Sequence, residues 1–278
     1  MNLSGCHFEY CGVSSRKYNL VFAHANTSEF KQIVGNITSN FVFNKKNKQK
    51  HFIGESYEDS PIQFDAEIVR WGCNNEVIHT QERREIEKWL FHKSGYNKLY
   101  VDLADDTFAE TVELVDGYQK RLYLNCRFIN PEKIEDGTGL RGYKFTVECD
   151  SCMAWQDVVI SEHSLANTSA NSTSIISVNV DTDIRDYTYP KVIITIGNAG
   201  GDILIANHSD NDNRNTSFVS TYANSEIIMD GNTNYISGQN FDRFKDRNFI
   251  RLLDGENRLS VTGNISKIRF EWNNRRYL

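Results

Sequence analysis

Proline is scarce in this chain, with 3 in 278 residues, which argues against long extended linkers. Long hydrophobic runs are missing as well. No window approaches the ~20 apolar residues of a membrane-spanning helix, and the first ten residues, MNLSGCHFEY, hold neither a basic nor an apolar segment. A soluble protein that no signal peptide exports is expected. Basic charge is in deficit. With 31 Lys+Arg against 37 Asp+Glu, the net charge of −6 excludes a tight grip on nucleic-acid phosphates, which needs clustered cations. The one basic run, KKNKQK from Lys45 to Lys50, reads as a solvated hairpin tip or loop, with a nucleic-acid contact as the alternative. Catalytic signatures are absent too: there is no G-x-S-x-G elbow, no H-E-x-x-H and no Walker loop, and the seven histidines share no motif. A triad assembled in space from distant residues stays open. The six cysteines (Cys6, Cys11, Cys73, Cys126, Cys149, Cys152) read as reduced thiols, since a chain of this size without an export signal does not need a disulfide framework.

What is present begins with a helix, expected over about residues 80–94. Thr80 is placed at the N-cap, Glu82 and Glu85 in the first turn where the dipole is positive, and Gly95 at a left-handed C′ position. Ile86, Trp89 and Leu90 recur at i, i+3, i+4, while Arg84, Glu87, Lys88 and His92 keep the other face solvated, so the helix should lie against a sheet. Period-two segments surround it. Residues 62–68 alternate apolar with polar, as do residues 122–128 and 143–149, which implies antiparallel strands with one face packed and the other meeting water or a partner. The last two form a hairpin across a loop expected at residues 130–142.

A chain of 278 residues exceeds the usual domain of ~100–150 residues, so two domains are expected, 1–155 and 156–278. The small polar stretch SEHSLANTSANSTS (161–174) reads as a connector. Beyond it the pattern is β only. Val192, Ile194 and Ile196 alternate, as do Ile203 with Ile205 and Ile268 with Phe270 and Trp272. Asp230-Gly231-Asn232 and Asp254-Gly255-Glu256 mark turns, and an antiparallel sandwich is the economical closure.

Four constellations could carry chemistry, and each has a plainer reading. Gly137, Gly139 and Gly142 spell G-x-G-x-x-G, yet a strand rather than a helix follows, so they read as hairpin glycines and not as a dinucleotide cradle. Cys6 and Cys11 with Cys149 and Cys152 could supply four zinc thiolates, but strand parity points Cys149 into the core, and buried free cysteine is the simpler reading. Asp210, Asp212 and Asp230 could attract calcium, but Arg214 stands where a further oxygen ligand belongs, so a solvated loop from residue 207 to 216 is expected. Phe218, Tyr222, Tyr235, Phe241 and Phe244 could stack on sugar, although aromatics in a sandwich more often serve core or interface. No catalytic, cofactor-binding or metal-binding residue is assigned.

The order of parts, TQERREIEKWLF, SGYNKLYVDLADD, YKFTVECDSCMAW, YPKVIITIGNAG, IIMDGNTNYI, RLLDGENRLSV and KIRFEWNNRRYL, resembles the distal tail proteins (Dit) of siphophages infecting Gram-positive bacteria along essentially the whole chain. The resemblance implies a mainly β protein: an N-terminal β-sandwich with one helix, bearing a galectin-like C-terminal β-sandwich. It implies a non-enzymatic, homohexameric ring at the virion tail tip, made in the bacterial host cytoplasm. Its partners would be the tail-tube protein, the tail-associated tip protein and receptor-binding components, with phage DNA passing through unbound and no membrane involved. Extra carbohydrate-binding insertions, known in longer members, have no room here. A carbohydrate-binding module of an adhesion device, and a hydrolase without a local signature, are the competing classes.

Overall fold

Alternating apolar residues in the first half of the chain become strands that share one core. The computed structural model describes residues 5–25, 36–44, 48–58, 60–71, 77–102, 114–115, 118–119, 122–167, 169, 171–183, 186–210, 212 and 214–276. It divides into two compact units, residues 1–155 with 277–278 and residues 156–276. The first unit holds β1 (His7–Tyr10), β2 (Val13–Ser14), β3 (Leu20–Ala25), β4 (Asn36–Asn44), β5 (Gln49–Glu58), β6 (Gln63–Arg70), helix α1 (Thr80–Leu90), β7 (Asn97–Asp102), β8 (Leu114–Val115), β9 (Tyr118–Gln119), β10 (Leu122–Asp136) and β11 (Gly139–Cys149). Strand β12 (Ala154–Gln156) leads on into the second unit.

Seven of these strands pair in the order β2-β1-β7-β10-β11-β6-β3, while β4–β5 and β8–β9 form separate hairpins. The lysine run falls between β4 and β5. Lys48 sits exposed in the turn, and Lys45, Lys46 and Asn47 lie outside the described residues. The sheet curls back on itself, because Gly5 N–H donates to the Phe22 carbonyl (2.6 Å) and Phe22 N–H to the Cys6 carbonyl (3.0 Å), tying the start of β1 to the far strand β3. Its inward side chains make one cluster. Phe64, Ala66 and Ile68 from β6, Leu124, Cys126 and Phe128 from β10, and Tyr143, Phe145 and Val147 from β11 all belong to it, as the period-two pattern requires. Each such large apolar side chain contributes about 1.5–3 kcal/mol of burial.

Helix α1 closes this core with Ile86, Trp89 and Leu90. Trp89 stacks on Phe8 at 5.8 Å and meets Tyr18 at 5.6 Å, and its indole N–H donates to the Tyr10 carbonyl at 2.7 Å. Arg70 grips Glu82 with two bonds (3.1 and 2.9 Å) and also donates to the carbonyls of Tyr18 and Val77, fixing the helix lengthwise. Both helix ends differ from expectation. The N-cap is His79, not Thr80, with the His79 N–H bonded back to Glu82 Oε2. The helix stops at Leu90 instead of running to residue 94, because Phe91 leaves the helix to set its ring edge-on against Tyr143 (5.4 Å) and Phe145 (5.6 Å). Gly95 has the left-handed φ of +69° but serves the turn into β7.

The loop expected at residues 130–142 is strand for most of its length. β10 runs on to Asp136 and β11 starts at Gly139, leaving a tight turn between them. Composition misled here because Asn130, Pro131 and three glycines stand close together. Asn130 at φ +54° and Pro131, which has no N–H to donate, are absorbed in a bulge between the pairs Ile129–Thr146 and Glu132–Lys144. Gly142 packs where a Cβ would fall 1.9 Å from the Ile68 carbonyl oxygen, so the G-x-G-x-x-G glycines do serve hairpin and strand contact.

The second unit holds β13 (Val159–Ser164), β14 (Thr173–Val180), β15 (Lys191–Ile196), β16 (Gly201–Asn207), β17 (Asn215–Thr221), β18 (Glu226–Asp230), β19 (Tyr235–Ser237), β20 (Gly255–Thr262), β21 (Ile265–Trp272) and β22 (Arg275–Arg276). Two antiparallel sheets, β13-β21-β15-β18-β19 and β14-β20-β16-β17, bury a common core. Val192, Ile194, Ile196, Ile268, Phe270 and Trp272 from one sheet meet Ile203, Ile205, Leu259 and Val261 from the other, which is a β-sandwich. Residues 161–174 are not a loose connector. Their described residues are strand to Ser164 and again from Thr173, and Asn167 is held by its side chain, which donates to the Val261 carbonyl and accepts from Ser174 Oγ. The unit's first residue is tied to its end: Gln156 N–H donates to the Asn274 carbonyl, Asn274 Nδ2 donates to Gln156 Oε1, and Trp272 Nε1 donates to Asn274 Oδ1, all at 2.8 Å.

Replacing Trp89 by Phe keeps most of the ring but strands the Tyr10 carbonyl, which should cost about 1–3 kcal/mol, and Trp89→Ala about 3–5 kcal/mol. Urea denaturation resolving the first unit's transition measures both; an unchanged midpoint in the two variants would contradict this packing.

Candidate interaction surfaces

Because side chains alternate across a strand, the residues interleaved with the first unit's core project from the opposite face of its sheet. Between β7 and β3 that face is mostly polar, with Ile129, Val69 and Val21 as apolar members. Register places Arg127 beside Glu148, Thr146 beside Asp65, Lys144 beside Glu67 and Asn125 beside Lys98. Arg127 and Tyr96 both bond Glu148 Oε1 (2.7 and 2.9 Å), and these bonds, Tyr96 first, hold the Glu148 carboxyl below its usual range. Thr146 donates to Asp65 at 2.7 Å, and the Lys98 ammonium lies 4.0 Å from the Tyr123 ring centre. Exposed pairs of this kind add little stability but fix a pattern of charge.

Where β10 outruns β7 it forms an arm. Residues 130–136 are exposed except for half-buried Ile134, and they carry Glu132, Lys133, Glu135 and Asp136. The Asp136 carboxylate closes the tip by accepting from Thr138 Oγ1 (2.6 Å), Thr138 N–H (2.8 Å), Gly139 N–H (3.1 Å) and Arg141 Nε (2.8 Å), and these bonds drive its pKa far down.

In the second unit the acidic loop expected to be solvated is anchored. Asp210 is 3% exposed and takes both Nε (2.7 Å) and Nη2 (2.8 Å) of Arg251, whose Nη2 also bonds Asp212 and whose guanidinium lies 3.6 Å from the Tyr187 ring centre. The Arg251 bonds hold the Asp210 carboxyl below its usual range. The oxygens that a calcium ion would need are committed to arginine. Asp230 is remote in role: its Oδ1 accepts from Asn232 N–H in the β18–β19 turn.

The aromatic platform divides. Phe218 and Phe244 are core residues stacked at 4.8 Å, whereas Tyr222, Tyr235 and Phe241 are about half exposed. Arg243 lies over the Tyr222 ring at 3.8 Å and Arg247 over Phe241 at 5.3 Å, so a cation covers one face of each of these two rings. Exposed aliphatics sit on the outermost strands of both sheets, Ile160 on β13 and Ile175 on β14, where unpaired edges favour association.

The nearest approach to a nucleophile and base is Ser161 Oγ, 2.9 Å from His163 Nε2, with burial lowering the histidine's pKa. Among the described residues no carboxylate bonds the ring's other nitrogen, which a triad requires. Cys149 points into the core opposite Cys126, and Cys73 lies outside the described residues. Among the described residues no cluster of three His, Cys, Asp or Glu side chains is arranged to hold a metal, and no helix is long and apolar enough to cross a membrane. The Arg251 partnership and the arm were invisible to sequence reading; only the Asp210–Arg214 charge pattern hinted at the first.

Residues 4–151 match the family model described as phage tail protein N-terminal domain, and residues 154–272 match that described as phage tail C-terminal domain. No curated protein matches the chain. Among solved structures the chain is similar to the SPP1 Dit (gp 19.1) protein, described as a paradigm of hub adsorption apparatus in Gram-positive infecting phages, with 14% identity, a TM-score of 0.59 and coverage of 96% of this chain and 98% of that one. A chain of the phage P2 baseplate in its activated conformation with Ca is similar at 10% identity and a TM-score of 0.50, with 97% of each chain covered. At such identity these likenesses establish a shared fold.

Replacing Arg251 by Met should destabilise the second unit by about 3–5 kcal/mol, because Asp210 is left buried and uncompensated. A carboxylate whose folded pKa is depressed stabilises above its unfolded value, near 3.9, and loses that contribution as pH falls through the folded value. Acid titration of the second unit's melting temperature should therefore show a loss beginning near pH 4 that Asp210→Asn removes.

Proposed function

Since the chain belongs to the phage tail protein family described by these two domain models, we propose that it is the structural hub of a phage tail tip. Six copies form a ring through the first domain, residues 1–155, and carry the second, a galectin-like sandwich of residues 156–278, outside. The ring joins the tail-tube protein to the tail-associated tip protein and to receptor-binding components. It is made in the bacterial host cytoplasm and resides in the virion. It performs no turnover: its work lies in surfaces that meet copies of itself and neighbouring tail proteins.

The observation that carries this reading is the end-to-end likeness to a protein described as a hub, with 96% of this chain and 98% of that one covered. The chain's own chemistry is compatible. A cyclic ring needs two different surfaces that mate head to tail, and the polar sheet face and the charged arm of the first unit are distinct surfaces of that kind. The net charge of −6 suits a conduit through which DNA slides without adhering.

Size-exclusion chromatography with light scattering, followed by negative-stain imaging, tests the assembly. A six-chain ring is expected, alone or with the tail-tube protein added. A strict monomer in both conditions would overturn the ring, and a lumen of strongly positive potential would overturn the sliding argument.

A further inference from the structure

Two thiols of the first unit have no part in the reading above. Cys126 on β10 and Cys149 on β11 stand opposite each other in register, 0% and 2% exposed. The backbone hydrogen bonds fix which kind of pair they make. Cys149 N–H turns away from β10 to the Ile62 carbonyl (2.9 Å), whereas the next residue, Asp150, donates its N–H to the Asn125 carbonyl (3.0 Å). Cys126 and Cys149 therefore occupy a non-hydrogen-bonded site, where the Cα atoms of opposed residues lie about 4.5 Å apart and the side chains come closest. That separation falls within the ~4.4–6.8 Å that a disulfide spans without backbone movement. The two thiols already hydrogen-bond, and burial, aided by that bond, pushes the Cys126 thiol well up, so Cys126 stays protonated while the ladder is closed.

Access comes from position. This pair is the last of the β10–β11 ladder, at the end opposite the turn, and β10's pairing with β7 also ends at Cys126, beside Asn97. Both thiols belong to the core cluster and the Asp150–Asn125 bond lies beyond them, so they are bared when that bond and the adjoining edge of the core open locally.

We propose that Cys126 and Cys149 form a cross-strand disulfide when the protein meets a small disulfide oxidant, stapling the open end of the hairpin whose other end the Asp136 turn closes. In a fraying excursion one thiolate attacks a sulfur of oxidised glutathione and expels a glutathione thiolate. The second cysteine's thiolate then displaces the other glutathione. Two protein thiols and one disulfide become one protein disulfide and two glutathione thiols, the two protons passing to the leaving groups. The resulting ring spans the arm and would hold its register once the protein leaves a reducing cytosol. The inference is independent of the ring reading.

The test incubates the purified full chain with oxidised or reduced glutathione, maps disulfides by peptide mass spectrometry and follows the first unit's melting. The expected result is a peptide linked through Cys126 and Cys149 with loss of two hydrogens. The first unit's melting temperature should rise by roughly 5–10 °C and fall again with dithiothreitol. Cys126→Ala should abolish both effects; if that variant does not fold, the linkage map of the unaltered chain decides alone. A Cys149–Cys152 bond, glutathione adducts without a Cys126–Cys149 bond, or no oxidation at all would overturn the proposal.

Discussion

One hydrogen bond, from the Trp89 indole to the Tyr10 carbonyl, holds the only α-helix of the first unit's described residues over its curled sheet. A rolled sheet cannot fill its own interior with strand side chains alone, and here the gap is filled by a large ring whose polar edge must find a partner once buried. Tyr10 supplies that partner from β1. The bond therefore couples the helix to β1, next to the edge strand β2, while Arg70 couples it to β6, next to the strand at the other end, β3. With both ends fixed, the outer face becomes a rigid display of charge instead of a deformable one.

What period-two patterning could reveal, it revealed well. Phe64, Ala66 and Ile68, or Val192, Ile194 and Ile196, declare their strands because burial on one face is a local property of sequence. Misreadings arose where a distant residue decided a local question. Gly95 offered a helix stop, but Phe91 left earlier for Tyr143 and Phe145, more than fifty residues away in sequence. Pro131 and the glycines after it resembled a loop, yet the bulge let the ladder continue. The loop around Asp210 looked solvated because its neighbours are polar, while its counter-ion, Arg251, lies 41 residues on. The candidate surfaces were legible only as the leftover half of each alternating pattern, since nothing local says whether such a half meets water or protein.

The second unit uses buried polar groups differently from the first. Its two sheets share an aliphatic core, and aliphatic packing alone tolerates sliding of loops over the sheet ends. Asp210 with Arg251, Asn207 with Asn257, and Gln156 with Asn274 and Trp272 remove that freedom, because each is buried and has one geometry in which its donors and acceptors are matched. Asn207 additionally donates to the Arg251 carbonyl, so the loop carrying Asp210 and the strand start that receives it are clasped twice.

These constraints bear on how copies of such a chain could meet. A sheet with free lateral edges can add strands without limit, and open-ended growth is the hazard that a closed ring must avoid. The bonds from Gly5 to Phe22 and from Phe22 to Cys6 occupy the β3 edge of the first unit, leaving sheet addition little to work with there. On the ring reading, contact must then fall to side chains on the polar face and to the arm beyond β7. Charge patterns on a rigid face have a fixed geometry and match only one orientation of a neighbour, whereas backbone edges match any strand. A subunit built this way gives up generic stickiness and keeps selective contacts, which is what a closed assembly of defined number requires.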